Sequence, residues 1–359
     1  MNKYIKKLTC NMLIAVMGIA AVTGCGKETE TEKLDGTQIV ISNDAQSMTL
    51  GAANFMLRNS QAQTQSYLET YGSSSGDIWS QYGDMVKSST LDNILTMLAI
   101  EANAEEYGVT ITEEEQERID KAAAAFMEDN SKEVIETLGM SQEDVATVLE
   151  LYTYQSKMYN PMIEDVDTEV TEEEAAQTTI SYLKLSFVET DDEGNTTELS
   201  DEEKEERKAA VQEGLDEMLA AEDSSELDLN AVAEELHEDM VASASLSFST
   251  YNPEEDTTVI DAAVKESVAG LEDGAIVDHV VEGEDAYYAV RVELAYDEEA
   301  SESAKESIVS ERQYSAYNDL ITQWKEAADY KIDEELWDSL ELSDSHPYVF
   351  KAEEEAAEE

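Results

Sequence analysis

The sequence predicts an α+β protein in which helices and sheet occupy different stretches of the chain. Three observations carry this reading. Residues 49–167 show one apolar stripe after another at helical spacing. Residues 171–297 switch to alternating strands separated by short helices, in the order β-α-α-β-α-β-β. From about Ala300 the helical spacing returns.

Gln38–Ser42 is a short strand. Thr49 then caps a helix carrying Phe55, Met56, Tyr67 and Leu68, which Gly72 can end. Residues 72–89, rich in Ser and Gly, read as a loop containing Trp79 and Tyr82. Leu91, Ile94, Leu95, Leu98 and Ala102 mark the next helix, closed by Gly108. Thr112 and Glu115 form a capping box, in which each side chain satisfies a free amide at the helix start. Ile119, Ala122, Ala123 and Phe126 are its buried stripe. A short helix around Val134 and Leu138 stops at Gly139, and Ser141 with Asp144 opens another that Pro161 bends or ends.

Ile180–Phe187 alternates as a strand, and Ser200 with Glu203 opens a helix running to about Ala220. Asn230–Met240 is a second helix and residues 241–249 a second strand. Residues 259–269 suit a short helix. Ile276–Val281, Gly283 and Ala286–Leu294 make a hairpin. The whole stretch is a module of about 120 residues. Ile308, Ile321 and Trp324 mark a closing helix, followed by an amphipathic turn at Asp333–Leu340. The end of the chain, from Ala352, is acidic and expected to be disordered.

Charge narrows the function classes. With 22 basic and 84 acidic residues the chain carries 22 − 84 = −62. That repels phosphate, so nucleic acid is excluded as a partner, and so is a bare anionic lipid surface. The excess either attracts basic segments of other polypeptides or simply keeps a solvated surface soluble. No metal or cofactor is expected. Asp191–Asn195 lacks the spacing of a calcium loop and reads as a turn between strands, and His237, His279 and His346 are far apart. No serine triad, phosphate loop or mature nucleophilic cysteine can be assembled.

The first residues are an address. Lys3, Lys6 and Lys7 precede an apolar run, Met12–Val22, about half as long as a spanning helix. The run ends in Val22-Thr23-Gly24-Cys25, which resembles the lipobox of bacterial lipoproteins. That resemblance implies cleavage before Cys25 and acylation of its thiol. The protein would then sit on the extracytoplasmic face of the cell membrane, held by lipid. Cys10 leaves with the signal, so no disulfide is expected, and residues 26–36 read as a flexible tether. An ordinary secretory signal with an incidental cysteine is the alternative.

Several segments together resemble the extracytoplasmic parvulin-type foldases, the PrsA and SurA class. Besides the lipobox these are Tyr107–Glu115 in the helical stretch; Ser267–Val277 with its Leu271–Gly274 turn; and the final strands around Val280–Gly283 and Tyr287–Val292. The resemblance covers residues 37–345. It implies a helical lobe at 37–170, an inserted peptidyl-prolyl isomerase module at 171–297, and a C-terminal helical segment at 298–346 that packs back on the lobe. Around these stand a signal at 1–24, a tether at 25–36 and an acidic tail at 347–359. It also implies unfolded or nascent exported polypeptides as partners.

The module is degenerate. Ser181–Lys184 and Tyr287-Tyr288 stand where the family carries its two histidines, and Ser247–Tyr251 stands near the place of a missing glycine-rich turn. Prolyl isomerisation needs only a pocket that binds the twisted amide better than the planar one. Tyr182 and Tyr288 could serve there, since a phenol both donates and accepts. They could equally be ordinary strand aromatics. Phe55, Met56, Trp79 and Tyr82 are candidates for holding clients, or are helical core. Three functions remain in view: a chaperone with weak or lost isomerase activity, an active isomerase, and a solute-binding lipoprotein. The last requires parallel α/β halves.

Overall fold

The computed structural model describes residues 19–21, 34–70, 78–190, 196–249, 258–342 and 348–350. The protein is α+β, and every strand pairing among the described residues is antiparallel. That removes the parallel layout a solute-binding lipoprotein requires. The chain divides into two compact units, one made of Met1–Val166 with Tyr314–Glu359, the other of Asp167–Gln313.

The first unit opens with strands β1 (Ile39–Ser42) and β2 (Ser47–Thr49), then helices α1 (Leu50–Thr70), α2 (Ile78–Asn103), α3 (Glu113–Asp129), α4 (Lys132–Leu138) and α5 (Gln142–Met162). The first half of α1 is buried on all sides, with Leu50, Phe55, Met56 and Leu57 at 2 % exposure or less. A helix buried on all sides belongs at the centre of a bundle. Its polar residues are satisfied in place. Asn54 Nδ2 donates to Leu138 O at 2.9 Å, and Arg58 donates to Asn54 Oδ1, Gln61 Oε1 and Glu341 O. The capping boxes at Thr112/Glu115 and Ser141/Asp144 both form. Gly139 ends α4 at φ 66°, and a side chain on facing Gly36 would put its Cβ 1.8 Å from Gly139 O, so Gly36 holds the incoming chain against that cap.

The end of the chain completes this unit. Helix α9 (Glu298–Ala328) contributes Ile321 and Trp324 to a cluster with Ile100, Met158 and Tyr107. Strand β9 (Lys331–Ile332) pairs with β1 in the order β9-β1-β2, and α10 (Glu334–Asp338) sends Trp337 into the core beside Val40, Ile41 and Phe55, joined by Leu340 just after it. Strands Ile19–Ala21 and Tyr348–Phe350 pair with each other.

The second unit is a four-stranded sheet with helices on its faces. Its elements are β3 (Gln177–Ser186), the ribbon β4 (Val188–Thr190) with β5 (Thr196–Glu198), α6 (Asp201–Ala220), α7 (Leu229–Leu236), β6 (Val241–Ser249), α8 (Ala262–Val268), β7 (Val281–Glu282) and β8 (Ala286–Leu294). The sheet order is β6-β3-β8-β7. Alternation along β3 and β8 sends Leu183, Leu185, Tyr287 and Ala289 under α6 and α7, and Ile180, Tyr288, Val290 and Val292 toward α8.

Three expectations need correcting. Residues 78–89 are helical: burial of Ile78, Trp79 and Val86 outweighs their Ser- and Gly-rich setting. The helix expected at Asn230–Met240 ends at Leu236, and Met240 N instead donates to His237 O. The strand expected at Ile276–Val281 is only Val281–Glu282, because Ile276 makes a single isolated bridge to Arg291. By itself the second unit runs from Asp167 to Gln313. There the first half of α9 is stitched to the segment leading into β3: Asp297 N donates to Gln177 O, Gln177 N to Ser301 Oγ, and Arg312 to Glu174 Oε1 and Glu169 O.

Candidate functional site

The α8 face of the sheet brings Tyr182 and Tyr288 together. Tyr182 is opposite Val290 and Lys184 opposite Tyr288, so the two tyrosines are diagonal neighbours on central strands. Their ring centroids lie 5.8 Å apart at 74°, an edge-to-face pair. Tyr288 is buried among Ile180, Phe248, Val264, Val281 and Val290, while Tyr182 is half-buried against the same cluster. The floor is thus apolar and aromatic, with one ring reachable from solvent.

Charges edge this floor. Lys184 Nζ stands 5.4 Å from the Tyr288 ring centre and 3.7 Å from Asp285 Oδ1. Asp261 caps α8 by accepting from Ala263 N at 2.9 Å, and its other oxygen accepts from Glu284 N at 2.5 Å. Gly283 permits that clasp. A Cβ there would sit 2.3 Å from Asp261 Oδ2 and 3.0 Å from the Tyr288 ring. Burial pushes the Tyr288 phenol well above the usual tyrosine range, and the carboxylates of Asp285 and Asp261 push it further. The phenol therefore stays protonated at any physiological pH. It can donate or accept a hydrogen bond but cannot take up or lose a proton as a histidine would.

On the opposite face, Ser181 and Arg291 are register partners, both buried. Glu293 takes two of the Arg291 donors at 2.7 and 2.6 Å, while Arg291 Nη1 and Ser181 Oγ have no partner among the described residues. Both lie in stretches singled out in the sequence, Ser181–Lys184 and Tyr287–Val292, but only the strand register pairs them.

The remaining candidates lie elsewhere. Phe55, Met56 and Trp79 are interior side chains of the first unit, Phe55 meeting Phe126 edge-on at 5.1 Å, and Tyr82 is half-buried against the same core. Tyr67 and Met85, at 63 % and 59 % exposure, are the open apolar side chains of α1 and α2. Cys25 lies outside the described residues. Among those residues no group of three or more potential ligands gathers for a metal, and no helix is long and apolar enough to cross a membrane.

No family model and no curated protein matches the chain. Solved structures do. The solved structures it resembles include PrsA foldases. That of Lactococcus lactis is 12 % identical, with a TM-score of 0.34, and the match covers 85 % of this chain and 100 % of that one. Foldase PrsA of Streptococcus pneumoniae is 14 % identical at a TM-score of 0.30, covering 73 % of this chain and 92 % of its own. The peptidylprolyl isomerase PrsA of Bacillus anthracis is 16 % identical at 0.26, covering 67 % and 99 %.

Proposed function

We propose that this chain is a foldase of the extracytoplasmic face, anchored by lipid on Cys25, that assists exported polypeptides with little or no prolyl isomerase activity. The observation that carries the reading is the Tyr182–Tyr288 pair. An apolar floor persists on the central strands of a module that resembles parvulins, while tyrosines stand where that family places histidines, and Tyr288 stays a protonated phenol. Such a floor can hold an apolar side chain. It has lost the titratable network that shapes the reaction site in the family. The net charge of −62 fits the same work, since it keeps the carrier soluble and draws in basic, unfolded chains.

A protease-coupled prolyl-peptide assay, run beside a slowed-aggregation assay on a denatured secretory protein, tests this. The expected result is suppression of aggregation with prolyl turnover far below that of a histidine-bearing parvulin. Turnover equal to such a parvulin refutes the weak-activity reading, and failure to slow aggregation refutes the chaperone. The close apposition of the two rings favours one alternative, an active isomerase using both phenols. In that case Tyr288→Ala abolishes turnover while the fold is kept.

A further inference from the structure

We infer that the outer edge of β6 is a docking strand for extended, cationic segments of client polypeptides. This rests on the polypeptide-binding reading above and assigns it a place. An edge strand presents unpaired backbone amides and carbonyls, and proteins ordinarily guard such edges with charged residues or proline. Strand β6 closes the sheet on one side, and among the described residues no strand pairs with its outer edge. Its sequence, Val-Ala-Ser-Ala-Ser-Leu-Ser-Phe-Ser, holds no charge, no proline and no glycine, in a chain that is 30 % charged. Val241, Ala244 and Ser245 are exposed.

Two features mark off the usable stretch. A register shift leaves Ala244 and Ser245 opposite Ser181 alone, which is a bulge in the strand. Beyond it the Ser247 carbonyl already accepts from Thr258 Oγ1 at 3.4 Å. The open edge is therefore Val241–Ser245, long enough for a short ladder that forms and releases readily.

Charge selects the occupant. Exposed Glu234, Glu235 and Glu238 precede the strand. A second copy of the chain would bring the same acids and another −62 against this edge. A basic segment in extended form meets complementary charge together with an edge that no strand pairs among the described residues.

The test is binding of a fluorescein-labelled nonapeptide of alternating lysine and valine to the full chain at low salt. It is compared with the same peptide N-methylated at alternate backbone nitrogens and with a glutamate-for-lysine peptide. The expected result is that methylation weakens binding about tenfold or more, that the glutamate peptide does not bind, and that Val241→Lys with Ala244→Lys reproduces the loss. Equal binding of the methylated peptide to the unaltered chain overturns the proposal, even if the lysine variant fails to fold. So does a folded variant that binds normally, or a wild-type dimer dissociated by the variant, which would make a second copy the occupant. If these fail while the full chain still slows aggregation, the edge assignment falls and the chaperone reading stands. If aggregation is not slowed either, both fall.

Discussion

Glu101 is a carboxyl the first unit holds against its preference. Burial raises its pKa above the ordinary 4.5; the amide of Gln46, donating at 2.9 Å, lowers it in part, and the nearby charge of Glu150 raises it again. Gln46 in turn accepts from the Tyr330 hydroxyl at 2.7 Å, so the group lies beneath the returning C-terminal segment. A carboxyl that resists ionisation when folded costs nothing below its unfolded pKa. The cost grows as pH rises through that value toward the folded one. Glu101→Gln keeps an acceptor for Gln46 and removes the charge. It should raise the urea midpoint at pH 7 and leave it unchanged below about pH 4. A midpoint that falls at pH 7 would show that the charge stabilises the lobe.

Helix α8 is short, and its position depends on one side chain. Asp261 satisfies amides at both Ala263 and Glu284, tying the helix start to the β7–β8 turn beneath Tyr288. Asp261→Ala should cost about 1–2 kcal/mol in chemical denaturation, and Asp261→Asn should recover much of it. An unchanged midpoint for the alanine variant would mean the clasp does not hold the helix. Devices of this local kind were legible from sequence. The boxes at Thr112, Ser141 and Ser200 each join residues three apart, and all three form. What needed distant partners was not legible. The start of α2 looks like a loop because Ser and Gly surround Ile78 and Trp79, and only core packing makes it a helix. Strand β9 has two residues and no pattern of its own, and its partner lies near the other end of the chain. The tyrosine pair was half readable: alternation places each ring on a face, but only register sets them side by side. The unpartnered atoms of Ser181 and Arg291 gave no signal, since an unsatisfied polar group emerges only once burial and partners are known.

At the scale of the whole molecule, the second unit has its own cores and closes on itself. Asp297, Ser301 and Arg312 stitch its outgoing helix to its incoming segment, and Thr179 Oγ1 donates to Asp297 Oδ2 at 2.6 Å. Residues 167–313 expressed alone should therefore unfold in one cooperative transition with near-native far-UV circular dichroism. A broad, non-cooperative transition would show that the stretch depends on the rest of the chain.

The first unit has the opposite property, because Trp337 and Leu340 are part of its interior and β9 pairs with β1. A chain threaded through a translocation channel amino end first would release the middle stretch ready to condense while the earlier helices still lacked their closing piece. Their greasy interior would stay uncovered until the final forty or so residues arrived. Truncation anywhere before Trp337 would thus strand the oldest part of the polypeptide rather than the youngest, and quality-control proteases would meet it there first.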